Sequence, residues 1–153
     1  MATYYADTSA LVKRHLTEAG SVWVRALSKP AAGNLIITAQ VSQVELYSAL
    51  NRRVRKNAVS PLRYARIITV SNRIWSTQYD LVGLTTVIID EARRLCELHP
   101  LRAYDAVQLA SALYARHLIL MAGEPSPIFL SADNQLLSAA AAEGFATDNP
   151  NHH

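Results

Sequence analysis

The chain has 153 residues and a formal net charge of +3, with 50% hydrophobic and 18% charged residues. That balance excludes a disordered polymer and describes one globular domain around a single sizeable core. No apolar run reaches the roughly 20 residues that cross a bilayer, and the lone cysteine, Cys96, excludes an intrachain disulfide. No basic segment followed by an apolar core opens the chain. These features read as a cytoplasmic protein with one domain over residues 1–150 and a tail at 151–153, where His152 and His153 look tag-derived.

In chain order, TYYAD predicts a first strand ending on Asp7, and TSALVKRHL and AGSVWVRALSK predict two helices closed by Pro30 and Gly33. NLIITA, rich in β-branched residues, predicts a second strand. QVSQVELYSALNRRVRKN then reads as a long helix with Val41, Val44, Tyr47, Leu50 and Val54 as its inner stripe. Ser60-Pro61 opens another helix running to about Tyr79, with Ile67, Val70, Ile74 and Trp75 inward. LVGLTTV predicts a third strand and IIDEARRLCELH a helix stopped by Pro100. RAYDAVQLASALYARH is a further helix with Leu109 and Leu113 inward. PIFLSAD is a fourth strand, NQLLSAAAAE a helix ending at Gly144, and FATDN a last strand. Short apolar strands alternating with helices predict an α/β fold with a parallel sheet covered on both faces.

Charge is distributed unevenly. Between Leu46 and Tyr79 there is no acidic residue, while Arg52, Arg53, Arg55, Lys56, Arg63, Arg66 and Arg73 fall inside that window. A planar guanidinium matches phosphate oxygens two at a time, so an arginine-rich stretch suits a nucleic-acid backbone as well as an ordinary solvated face.

The acidic residues carry the chemical signal. In a parallel α/β fold, ligands sit beyond the carboxyl ends of the strands. Asp7 ends the first strand and Asp133 the fourth, each with a hydroxyl residue close by, Ser9 and Ser131 respectively. Glu45 lies one turn into the helix after the second strand, and Asp105 lies in the first turn of its helix in line with Leu109. Each has an ordinary reading as well: Asp7 as a helix cap, Asp105 as a favourable charge at a helix N-terminus, Glu45 as a solvated glutamate. Taken together, carboxylates about 4 Å apart repel by roughly 4 kcal/mol at an effective dielectric near 20. A hard divalent cation, Mg²⁺ or Mn²⁺, would relieve that strain and activate water beside a phosphate.

The segments YADTSALVK, VSQVELYSAL, LRAYDAVQLASAL and IFLSAD, in this order, resemble the PIN domain, and within it the VapC-type ribonucleases of toxin–antitoxin pairs. The resemblance covers essentially the whole chain and implies a three-layer α/β/α sandwich. It matches Asp7, Glu45, Asp105 and Asp133 to the family's acidic metal-site positions and Ser9 to its small hydroxyl position. It further implies cleavage of RNA with one or two Mg²⁺ or Mn²⁺ ions, a homodimer, and inhibition by a VapB-like antitoxin in a larger assembly. Asp148 is either a fifth, outer acid or a turn residue before Asn149-Pro150.

Other residues read more plainly. Cys96 with His99 is weak grounds for zinc, and Cys96 is expected in the core. His15 and His117 sit near helix ends, where a cation is favoured. Trp23 and Trp75 are expected in core or dimer packing. Two rival functions remain: a phosphoacceptor or phosphatase module, which lacks the expected late lysine and D-x-D, and a catalytically inert PIN-fold module that binds RNA or protein.

Overall fold

The computed structural model describes residues 1–153. Its strands are β1 (Thr3–Ala6), β2 (Leu35–Ala39), β3 (Asp80–Val82), β4 (Ile128–Leu130) and β5 (Thr147–Asp148), all parallel, in the order β3-β2-β1-β4-β5. Seven helices connect them: α1 (Thr8–His15), α2 (Ser21–Leu27), α3 (Ser42–Arg55), α4 (Pro61–Thr77), α5 (Thr86–Leu98), α6 (Ala103–Met121) and α7 (Asn134–Ala142).

Alternation along the strands divides the interior in two, because successive side chains point to opposite faces of a sheet. Tyr5 pairs in register with Ile37 on one side and Phe129 on the other, and all three join the core beneath α5, α6 and α7. Tyr5 and Phe129 stack with ring centroids 5.4 Å apart. One residue along, Ala6 and Leu130 face the opposite way and, with Ile36, meet α1, α2, α3 and α4. The result is the three-layer α/β/α sandwich, with the sheet in the middle.

The strand order also locates a crevice. From β1 the chain passes outward to β2 and β3 on one side, whereas β4 and β5 lie on the other. The carboxyl ends of β1 and β4 therefore flank the point where the winding reverses, which is where open parallel sheets bind ligands.

Several inner faces differ from expectation. On α3 the buried residues are Ser42, Leu46 and Leu50, while Val44 is 61% exposed. Ser42 can be buried because its hydroxyl lies 2.8 Å from that of Thr38. On α4, Ser71 rather than Val70 faces inward. The third strand stops at Val82, and Thr85 caps α5 through the Ile88 N–H, so TTV opens a helix. Cys96 is exposed, not part of the core. His99 bonds to Glu143, so Cys96 and His99 are not brought together on a shared ligand. Trp75 is buried, edge-on to Tyr79, whereas Trp23 stacks on His153 at 4.0 Å. The turn at Pro150–His152 packs over α2: at Gly20, with φ of 77°, an added Cβ would lie 2.0 Å from the Pro150 carbonyl oxygen.

His15 is not a helix-end cation. Its Nε2 lies 3.0 Å from Ser71 Oγ, between α1 and α4, and burial, then the charges of Arg14 and Arg25, hold its pKa at about 4. The unfolded chain binds that proton near pH 6.5. The neutral ring's contribution is therefore complete above pH 6.5 and is lost as pH falls toward 4. Denaturant unfolding of the wild type and His15→Gln should show the wild type losing on the order of 3 kcal/mol more than the variant between pH 7 and pH 4. A gap between the two proteins that stays constant with pH would contradict this account.

Candidate active site

The turn between β1 and α1 is built around Asp7. Its backbone N–H donates to the Leu130 carbonyl, continuing the β1–β4 pairing by one residue. Its side chain then caps α1: Oδ1 accepts from the Ala10 N–H at 3.0 Å and from Ser9 Oγ at 2.7 Å. Oδ2 accepts from Ser131 Oγ at 3.1 Å. Capping and site chemistry thus coincide in one carboxylate. Every donor to it is neutral, and it is only 5% exposed. Burial pushes its pKa up to about 7, against the pull of Ser9, Ala10 and Ser131, with the Glu45 charge adding to the rise.

Ser9 and Ser131 tie the ends of β1 and β4 together. Ser9 Oγ accepts from the Ala132 N–H at 2.8 Å, and Ser131 Oγ accepts from the Asp133 N–H at 3.0 Å. Asp133 caps α7, its Oδ1 accepting from the N–H groups of Gln135 and Leu136. Its Oδ2 accepts nothing from the protein.

Glu45 is held from beneath by a residue that the sequence reading passed over. Gln108, 1% exposed on α6, donates through Nε2 to Glu45 Oε1 at 2.6 Å and to Ser42 Oγ at 2.8 Å. Its Oε1 accepts from the Tyr5 hydroxyl at 2.9 Å. Thr8 Oγ1 also donates to Glu45 Oε1, at 3.0 Å. Both bonds fall on one oxygen, which leaves Oε2 free. The sequence carries a signal: an amide among the mostly apolar residues of AVQLASAL, one turn beyond Asp105, needs buried partners.

The four carboxylates form a row. Glu45 raises Asp7, Asp105 raises Glu45, and Asp133 raises Asp105, in each case after the larger effect of burial. No ion pair involves any of them. Only Arg102 pulls Asp105 back, through its charge and backbone N–H. The expectation that all four converge is corrected in one respect: no three His, Cys, Asp or Glu side chains surround a common point closely enough to hold a metal ion. Along the reversal point each acid feels the charge of the next, Asp7 that of Glu45, Glu45 that of Asp105 and Asp105 that of Asp133. Asp148 ends β5 beside β4, its carbonyl accepting from the Ser131 N–H and its side chain bonded to His153 at 2.9 Å.

A carboxylate raised by burial stabilises the fold only while protonated. Asp7's contribution is complete below its ordinary value near 3.8 and disappears as pH rises through about 7. In chelator, Asp7→Asn keeps the cap and should make the protein more stable than wild type at pH 8, by on the order of 3 kcal/mol. The gain should vanish by pH 4. Thermal unfolding at the two pH values checks this, and equal stability at pH 8 would contradict it.

With this geometry in place, known proteins can be set beside it. The PIN domain family matches residues 4–141. The ribonucleases VapC45 and VapC49 of Mycobacterium tuberculosis are each 29% identical over 144 residues, spanning 94% of this chain and 93% of theirs. Among solved structures, a toxin–antitoxin complex from Klebsiella pneumoniae superposes with a TM-score of 0.61 at 14% identity, over 96% of this chain and 97% of that one. Mycobacterium tuberculosis VapC20, a toxin that cleaves the sarcin–ricin loop, does so with 0.61 at 18%, over 94% and 96%. At such identities the structural likeness speaks for the fold. The family match covers most of the chain and includes Asp7, Glu45, Asp105 and Asp133, so the protein belongs to the PIN domain family.

Proposed function

We propose that the chain is a Mg²⁺- or Mn²⁺-dependent endoribonuclease, acting in the cytoplasm as the toxin of a toxin–antitoxin pair through one domain over residues 1–150. The observation that carries the reading is the row of carboxylates at the reversal point of the sheet, without an ion pair to any of them and with Arg102, beside Asp105, the only cation whose charge opposes their rise. Such an oxygen-only set fits a hard divalent ion. Mg²⁺ in particular binds through one or two carboxylates and keeps its waters, so it does not need all four acids at one point. The ribonuclease names of the VapC relatives support RNA as substrate, and the Klebsiella complex supports an antitoxin partner. A homodimer that joins its antitoxin in a larger assembly completes the proposal.

Asp7, Glu45, Asp105 and Asp133 are the residues that would hold one or two ions. A bound ion would supply Lewis acidity toward the phosphate and a more acidic water. The protein's own part is positioning. Ser9 and Ser131 fix both oxygens of Asp7, and Gln108 and Thr8 anchor Glu45 by Oε1 so that Oε2 remains available. Burial raises Glu45, which suits it to take a proton from attacking water.

Purified protein should cleave single-stranded RNA with Mg²⁺ or Mn²⁺ and stop in excess chelator. Loss of an outer partner of a metal ligand typically costs 10–100-fold, so Gln108→Leu should fall about that far. Asp7→Asn and Asp105→Asn, which change proposed ligands themselves, should fall further. Cleavage that survives both aspartate changes, or persists in chelator, would contradict the reading.

A further inference from the structure

Beside the carboxylate row lies a cleft of about 480 Å³ between α3 and the start of α6. Glu45, Ser48 and Arg52 follow one another along α3 at helical spacing on its wall, and Arg102, Tyr104 and Asp105 belong to the opposite element. From Glu45 to Arg52 is seven residues, about 10 Å along the helix axis. The cleft therefore leads away from the proposed metal site as a continuous track.

Its chemistry is mixed in an unusual way. Arg52 and Arg102 are exposed and make no ion pair, although Glu45 and Asp105 share the same cleft. Arg53, next to Arg52 in the chain, turns away and pairs with Glu18. Tyr104, 50% exposed, and Val44, 61% exposed, line the same cleft. Neither side chain serves the core. An aromatic face and an aliphatic surface flanked by two unpaired cations match a flat base carried on a phosphate backbone.

We propose that this cleft is a nucleotide subsite: an unstacked base of single-stranded RNA lies against Tyr104 and Val44, and Arg52 and Arg102 hold the neighbouring phosphates. The proposal rests on the ribonuclease reading and adds the side on which the strand leaves the site. A duplex keeps its bases stacked and paired, so it cannot offer one to Tyr104. The subsite thus selects unpaired RNA by shape. The guanidinium contacts position the backbone without reading sequence.

The test measures fluorescence anisotropy with a labelled single-stranded oligoadenylate, an abasic strand of equal length and a duplex, using the Asp7→Asn protein to prevent cleavage. Tyr104→Ala in that background should weaken the oligoadenylate about tenfold, within the range for lost base stacking, while Tyr104→Phe retains it. The abasic strand and the duplex should bind both proteins equally. Arg52→Gln and Arg102→Gln should each lower the slope of log affinity against log salt by about 0.7. In a protein with Asp7 intact, Tyr104→Ala should raise KM for cleavage while Mn²⁺ affinity stays constant. Equal oligoadenylate binding by Tyr104→Ala, or an equal loss with the abasic strand or duplex, overturns the subsite. Cleavage with an unchanged KM in Tyr104→Ala overturns the subsite and leaves the ribonuclease standing. Tyr104-dependent binding without cleavage under any divalent ion supports the subsite and overturns the ribonuclease.

Discussion

Negative charge gathered without an ion pair to balance it is the constraint from which the rest of this structure can be understood. Asp7 is almost fully buried among hydroxyl and amide donors, and Glu45, Asp105 and Asp133 follow it so that each raises its neighbour. A fold selected for stability alone would spread these acids over solvated faces or pair them with arginine, of which this chain has many. Here the arginines pair elsewhere or not at all. The Lys13 ammonium, the cation buried nearest in sequence to Asp7, is spent on Glu18 and the Ala19 carbonyl.

Holding such a row requires stiffness beneath it. The two halves of the core grip the same strands from opposite faces: Tyr5, Ile37 and Phe129 below, Ala6, Ile36 and Leu130 above. Tyr5 serves both purposes, stacking on Phe129 within the core and donating its hydroxyl to Gln108, which in turn fixes Glu45. The path from apolar packing to carboxylate orientation is therefore only two hydrogen bonds long. Thr38, Ser42 and Thr8 close the remaining polar groups around Gln108, so the buried network is satisfied and does not tax the fold.

Much of this was legible before any coordinates. Strand and helix order follows from β-branched runs, Pro and Gly punctuation, and helical spacing; Asp7 and Asp133 stand out at strand ends, and Glu45 and Asp105 in the first turns of helices beside apolar positions. What escaped had physical reasons. The apolar residues of α3 suggested a stripe through Val44, but the true inner face runs Ser42–Leu46–Leu50, disguised by a serine whose burial depends on Thr38 and Gln108 from distant segments. Ser71 hid the inner face of α4 in the same way, and its partner His15 consequently reads as a cation until the packing is seen. Cys96 follows the buried Leu95 and points outward, a one-residue distinction that hydrophobicity does not resolve. That no three of these acids meet at a common point depends on side-chain positions that no spacing rule supplies.

The central claim is that the row exists to share a hard divalent cation, and the most direct measurement is calorimetric titration with Mn²⁺ in buffers of different ionisation enthalpy. Because Asp7 is partly protonated near neutrality, ion binding should release protons at pH 6.5 and release few at pH 8.5, with affinity rising across that interval. Asp7→Asn should abolish both the heat and the proton release. Mn²⁺ binding that is indifferent to pH and unchanged in Asp7→Asn would contradict the account.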